Sequence, residues 1–396
     1  MDVRLADRVF YFEESQTLEM AKKARELSAQ GVNVINLSLG EPDFATPEHI
    51  RNAAKNAIDA GFTKYAPVSG FLDLRQTICD KFKRDNGLTY TPNQIVVSTG
   101  AKHSLMNVIM ALVNPGDEVI IPNPYWVSYS EMVKLASGKP VFIPSSVATN
   151  YKVSAKAIEA AITPKTKMFL FSSPCNPSGS VFNRMELNEI ANVFAKYPNV
   201  YIVSDEIYEH INFVSKHESI GQFEAIADRV ITVNGVAKAF AMTGWRIGYI
   251  GAPEFIAKAC EKIQGQFTSG ANSVAQRAAL EALRGPLEPT RAMTAEYLSR
   301  RNLVLKRLEE FEHIKTNTPD GAFYVFPDFS YYIGKTLNGK LINSTRDLCY
   351  YLLETAHVSM VSGEAFGNPE CIRISYSLNK EDLNYTFDRI KAALNH

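Results

Sequence analysis

Four short stretches hold side chains whose types and spacing suit chemistry on a small polar ligand. Lys238 and Arg246 stand eight positions apart in NGVAKAFAMTGWRIG, Asp205 and Tyr208 lie in SDEIYEH, and Asn176 lies in SSPCNPSG. The fourth stretch, STGAKHS, sets Gly100, Ala101 and Lys102 at what reads as a helix N-terminus, a natural seat for an anion. Singly, each has an ordinary reading: Asp205 as a helix cap, Asn176-Pro177 as a turn, Lys238 and Arg246 as solvated surface charge. Together they supply an amine able to form a Schiff base, a carboxylate for a pyridinium nitrogen, donors for a ring oxygen and a cationic cup for a phosphate. That is the set pyridoxal phosphate requires.

Each stretch follows an apolar run of strand length. The runs are Ile95–Ser98, Glu118–Ile121, Met168–Phe171, Tyr201–Val203, Val230–Val233 and Ile247–Ile250, each bounded by Gly, Pro, Asn or Ser. Their alternation with amphipathic helical stretches predicts an α/β domain around a largely parallel sheet, in which ligands gather beyond the C-terminal strand ends. After Gly285-Pro286 a charged helical stretch over 288–311 leads to strand-like GAFYVF and CIRISYS. This change of pattern predicts a second, smaller domain of residues 1–47 and 286–396, against a large domain of 48–285. No internal repeat or low-complexity segment interrupts the chain.

Composition excludes several classes. The 396 residues are 46% hydrophobic, enough to bury large cores, and Lys+Arg and Asp+Glu each total 42, so no field of one sign points to nucleic acid or an anionic membrane. The five cysteines lack C-x-x-C spacing, which fits reduced thiols in a cytosol. The N-terminal MDVRLADRVFYFEESQT is acidic where a signal peptide needs an apolar run, and no stretch reaches the ~18 apolar residues of a membrane span. The sequons at Asn343 and Asn384 matter only in a secreted protein. Gly334-Lys335-Thr336 imitates the end of a P-loop, but Phe329 stands where its earlier glycine is needed. The seven histidines, His103 and His210 among them, show no ligand spacing, and no metal is assigned.

The segments SPCNPSG, SDEIYEH and NGVAKAFAMTGWRIG resemble the signature segments of class I aminotransferases of fold type I. The likeness runs from LSLGEPDF near Leu37 to CIRISYS near Arg373, with bacterial aspartate aminotransferases the nearest subgroup. It implies a large domain with a mostly parallel seven-stranded sheet flanked by helices, a smaller α+β domain, pyridoxal 5'-phosphate as cofactor, and a homodimer with shared sites.

Residue by residue, the resemblance makes Lys238 both the cofactor's covalent anchor and the base at the substrate Cα. Asp205 faces the pyridine nitrogen and keeps it protonated, while Asn176 and Tyr208 donate to the phenolic oxygen. Trp126 stacks on the ring. The amides of Gly100, Ala101 and Lys102 bind the phosphate with Arg246, and Tyr65 of KYAPVSG reaches the phosphate of the neighbouring subunit. Many relatives have serine three residues before the lysine; Gly235 stands there in this chain. Arg373 clamps the substrate α-carboxylate, and Gly40 brings a backbone amide to it. Trp126 and Asn176 also border the substrate. Because Arg373 and Gly40 lie in the smaller domain, substrate binding is expected to close it and expel water.

Lys102, with Ser15 and Thr17 of the ESQT segment, resembles the subgroup's site for a dicarboxylic side chain. That implies aspartate and glutamate as donors with oxaloacetate and 2-oxoglutarate as acceptors, in a ping-pong exchange. Prephenate, aromatic or alanine specificity is the alternative, and the same fold also serves β-eliminating lyases and cyclopropane-forming synthases. A ligand-sensing regulator would carry a basic DNA-binding module ahead of the matching segments, which here begin near residue 15.

Overall fold

The computed structural model describes residues 5–12, 16–214 and 216–394. The large sheet is built from β1 (Ile95–Ser98), β2 (Glu118–Pro122), β3 (Lys139–Ile143), β4 (Thr166–Ser172), β5 (Tyr201–Asp205), β6 (Val230–Gly235) and β7 (Gly248–Gly251). Their spatial order is β1-β7-β6-β5-β4-β2-β3. All six sequence-read runs lie in it. The strand not among them, β3, is an edge strand with a proline and largely uncovered side chains, so it shows no buried apolar run.

Pairing is parallel except at β7, which runs antiparallel to both β1 and β6. That exception positions the site. The C-terminal ends of β1, β4, β5 and β6 share one edge, and the reversed β7 brings its N-terminal end to the same edge, with Ser98 opposite Gly248 and Gly235 opposite Gly248. Arg246, two residues ahead of β7, is thereby delivered beside the loop that follows β1.

Helices α1 (Gln16–Ala29), α2 (Leu72–Lys81), α3 (Ala101–Leu112), α4 (Glu254–Phe267), α5 (Glu288–Leu308), α6 (Thr345–Thr355) and α7 (Lys380–Leu394) bear on the argument below. One face of the sheet meets α3 and α4 through Val96, Leu105, Val108, Ile256 and Cys260, all buried. Toward the C-terminus, β8 (Tyr324–Val325), β9 (Val361–Ser362) and β10 (Ile372–Ser375) form an antiparallel sheet in the order β9-β10-β8. GAFYVF thus supplies only a two-residue strand. The short strand Ile35–Asn36 pairs in parallel with Val358–Ser359, and one apolar cluster joins Met20, Ile35 and Leu37 to Met293, Leu352, Ile374 and Phe387. No helix among the described residues is long and apolar enough to cross a membrane.

Candidate active site

A cavity of about 370 Å3 opens at the shared strand edge. Register explains its floor: Asp205, the last residue of β5, lies opposite Ser172 of β4 and Val233 of β6, so the polar residues after all three strands converge. Asn176, Asp205, Tyr208, Lys238 and Arg246 all line it, as do Ala101, Lys102 and Trp126. Gly40, Thr17 and Arg373 reach it from the other side.

Asp205 is 4% exposed. Its Oδ2 accepts from the Tyr129 hydroxyl at 2.7 Å and its Oδ1 from the Ile207 amide at 3.2 Å. Burial pushes its carboxyl up to about 6, against the pull of those two donors. Lys238 follows β6, and its ammonium donates to the Gly40 carbonyl while standing 5.7 Å from the Tyr208 ring centre. Burial pushes Lys238 down to about 8, with Arg373 and Arg246 adding to the effect and Glu41 and Asp205 opposing it.

Arg373, in β10, is 2% exposed. It donates to Asn176 Oδ1 at 3.1 Å and to the Ser38 carbonyl at 2.5 Å, while its Nε has no partner. Its guanidinium lies 4.7 Å over the Tyr324 ring and 4.9 Å over that of Phe366. No carboxylate pairs with it among the described residues. A buried guanidinium held by neutral partners retains unsatisfied demand for an anion.

The anion cup takes shape where α3 begins at Ala101 after Gly100. Gly100 has φ +85°, and a Cβ there would overlap the Arg246 guanidinium; a Cβ at Gly248 would overlap the Ala101 amide. Glycine at both positions is what lets cation and helix end meet. Gly235 has the same logic: a Cβ would lie 2.9 Å from the Ile247 carbonyl oxygen, so a serine there would need β6 and β7 to shift apart. At the rim, Lys102 lies 5.0 Å from the Trp126 ring centre, and the Thr17 hydroxyl is buried without a partner in the first turn of α1.

Of the predicted residues among those described, Tyr65 is not brought to the cavity. Ser15 lies outside the described residues, and Tyr65 is 99% exposed, away from the cavity of its own chain. Sequence reading also missed Tyr129, Tyr324, Glu41 and Thr243, which line the cavity. Tyr129 carried a signal, since it stands three residues after Trp126 and the two rings meet edge-on at 5.5 Å. Tyr324 carried less, because a strand of two residues gives no alternation to read.

Beneath the site lies a buried ionic network. Lys81, 1% exposed at the end of α2, pairs with Glu209 and donates to Asn86 Oδ1 at 2.7 Å. Asn86 donates to Glu206 and Glu209, and Glu206 also receives Ser204, Ser219 and His217. Glu206 and Glu209 alternate with Asp205 and Tyr208 along the chain, so the network grips the segment that presents both to the cavity. His210 joins Glu209 and Asp85 at 3.3 and 3.5 Å. These acid and histidine groups come close enough to share a cation, and the cation among them is Lys81.

Fold and pocket together define an α/β enzyme whose cavity gathers a lysine, a buried carboxylate and a helix N-terminus met by an arginine. A family model described as aminotransferase class I and II matches residues 32–390. The chain belongs to the class I and II aminotransferases. It is 47% identical to the aspartate/prephenate aminotransferase of Cereibacter sphaeroides, over 98% of each chain. It is 45% identical to a Petunia hybrida bifunctional aspartate aminotransferase and glutamate/aspartate-prephenate aminotransferase, over 100% of this chain and 83% of that protein. Among solved structures, the aspartate aminotransferase of Rhizobium meliloti superposes with TM-score 0.95 at 41% identity, over 99% of both chains. The aspartate aminotransferase of Thermus thermophilus with maleate gives TM-score 0.92 at 39% identity, over 98% of this chain and 99% of that one. The chain is therefore an aminotransferase acting on amino acids and 2-oxo acids, and its family implies dependence on pyridoxal phosphate.

Proposed function

We propose that this aminotransferase binds pyridoxal 5'-phosphate and moves an amino group from aspartate or glutamate to oxaloacetate or 2-oxoglutarate. The observation that carries the reading is the buried Arg373, unpaired with any described carboxylate and facing the same cavity as Lys238. The donor set fits the cofactor: Arg246 and the α3 amides for a phosphate, Asp205 for a ring nitrogen, Asn176 and Tyr208 for a ring oxygen. When bound, the cofactor supplies an aldehyde for amines and a cationic ring that accepts electron density from the substrate Cα.

The chain's own residues supply the rest. Burial holds the Lys238 amine down to about 8, so part of it is unprotonated near neutrality; it would take a proton from the donor's Cα in one half-reaction and deliver one to the acceptor's Cα in the other. Asp205, near 6, is mostly charged at neutral pH and favours a protonated ring nitrogen placed against it. Arg373 offers a planar, two-pronged donor to the substrate α-carboxylate, and Gly40 leaves room beside it. Lys102 and Thr17, with Ser15, suit a second carboxylate; maleate, named with the Thermus structure, is also a dicarboxylate. Prephenate carries a second carboxylate too, and the relatives named for it favour it as a second substrate of this chain.

The reading also places residues 48–285 in a large domain and 1–47 with 286–396 in a smaller one that closes on substrate. Two chains pair so that Tyr65 completes the partner's phosphate site, in keeping with its full exposure here. A cytosolic location accords with five buried free cysteines. The test is the visible spectrum of protein loaded with pyridoxal phosphate, before and after L-aspartate, L-alanine or L-phenylalanine. Loss of the cofactor's band fastest with aspartate is expected; a response to phenylalanine alone would replace the substrate assignment, and no band at all would end the cofactor assignment.

A further inference from the structure

Tyr324 of β8 is wholly buried, and its hydroxyl lies 2.7 Å from that of Tyr208. The two rings meet nearly edge-on, with centroids 5.8 Å apart at 81°. A Cβ at Gly40 would overlap the Tyr324 hydroxyl, so the backbone of the LSLGEPDF segment closes that side and leaves Tyr208 as its hydrogen-bond partner. Two phenols in contact share one hydrogen bond, and whichever donates has no proton left for anything else.

The surroundings decide the direction. Arg373 stands over the Tyr324 ring, and a guanidinium at 4.7 Å stabilises negative charge on that phenol. Burial raises both phenols, Tyr208 well above its ordinary range, and Arg373 is the first influence that pulls Tyr324 back. The other charged groups facing the pair are Asp205 and Lys238 on the Tyr208 side and Glu41 on the Tyr324 side. At 2.7 Å either phenol could donate, and Arg373 pulls Tyr208 down as well; it is the Tyr324 ring that the guanidinium covers, which favours Tyr324 as the donor.

We infer that Tyr324 is a positioning residue whose hydroxyl donates to Tyr208, turning the Tyr208 proton into the cavity toward the ring oxygen of the cofactor. The inference rests on the proposal that pyridoxal phosphate occupies this cavity. A donor that is itself receiving a hydrogen bond is a stronger donor. Tyr324 thus stabilises the anionic ring oxygen through Tyr208, and links the strand beside the carboxylate-binding arginine to the cofactor's electronic state.

The experiment titrates the visible absorbance of the loaded enzyme against pH. Tyr324→Phe keeps the ring that packs on Arg373 and deletes only the oxygen. Its midpoint should rise by about half to one unit, because the anionic ring oxygen has lost donor strength. In a Tyr208→Phe background the same substitution should move the midpoint no further, and Tyr324→His, which restores a donor, should return it toward wild type. An unchanged midpoint in Tyr324→Phe, or an equal rise without Tyr208, overturns the inference while leaving the cofactor assignment standing. A wild-type protein that shows no cofactor band at all overturns that assignment, and this inference with it; a band that does not titrate overturns this inference alone.

Discussion

Tyr129 donates its phenolic proton to Asp205 Oδ2 at 2.7 Å from inside a fully buried setting. The carboxylate already sits at about 6 because burial opposes its charge, and Tyr129 is the strongest influence holding it down. Tyr129→Phe removes that donor, so the Asp205 carboxyl rises further and stays charged over a narrower range. The acid limb of the kcat profile should move to higher pH, with kcat at neutrality falling about tenfold, the scale of one hydrogen bond to a charged group. Steady-state rates across pH for both proteins decide it; a lower kcat with an unmoved acid limb would mean Tyr129 merely packs.

Arg373→Lys keeps the charge and loses the fork. Lysine cannot present two parallel donors to a carboxylate, nor reach both Asn176 and Ser38 as Arg373 does. The expected result is a loss of about 100-fold in kcat/KM for every amino acid tested, since all share the α-carboxylate. A loss confined to dicarboxylic substrates would instead place Arg373 at the side-chain end.

How far the sequence foretold these arrangements depended on how local the information was. The aspartate ends a buried strand and the lysine and asparagine lie within a few residues of one, and a run such as Val230–Val233 announces both the strand and roughly where it ends. Arg246 was legible as a partner of Lys238 from its motif, but its approach to Gly100 depends on the reversal of β7, which periodicity does not encode. The exposed edge strand β3 lacked a burial pattern altogether. Tyr129 had its spacing from Trp126 to mark it, but its hold on Asp205, like the contact of Tyr324 with Tyr208, spans 76 and 116 positions of chain, and Lys81 meets Glu209 at a sequence separation that no local spacing carries.

Lys102→Ala tests the side-chain end of the pocket. Lys102 has no carboxylate within salt-bridge distance among the described residues, and it shares the cavity with Thr17, whose hydroxyl is also unpartnered. Removing the ammonium should raise KM for L-aspartate by roughly 10- to 100-fold, the worth of a charge-assisted hydrogen bond, and leave L-alanine nearly unchanged. Equal losses for both amino acids would assign Lys102 to the anion cup instead.

The network under Asp205 and Tyr208 should set the pH dependence of folding. Burial pulls the His217 imidazole down, but Glu206 and Glu209 push it up further, leaving it above the ordinary 6.5. That contribution is complete below 6.5 and is lost as pH rises through the raised folded value. Burial raises Glu209, but Lys81, His210 and His217 bring it below the ordinary 4.5, so its contribution is complete above 4.5 and is lost as pH falls through the lowered value. Between pH 4.5 and 6.5 both are present, and the network stabilises the fold most. His217→Gln should therefore flatten the decline in Tm on the alkaline side, with a smaller change on the acid side, where Lys81 still holds Glu209 down. Lys81→Met should be harsher, costing about 3–5 kcal/mol in urea unfolding because Glu209 is left buried without its cation. That loss should shrink on acidification, as the stranded carboxylate takes up a proton; a loss independent of pH would show that Lys81 matters only for the space it fills.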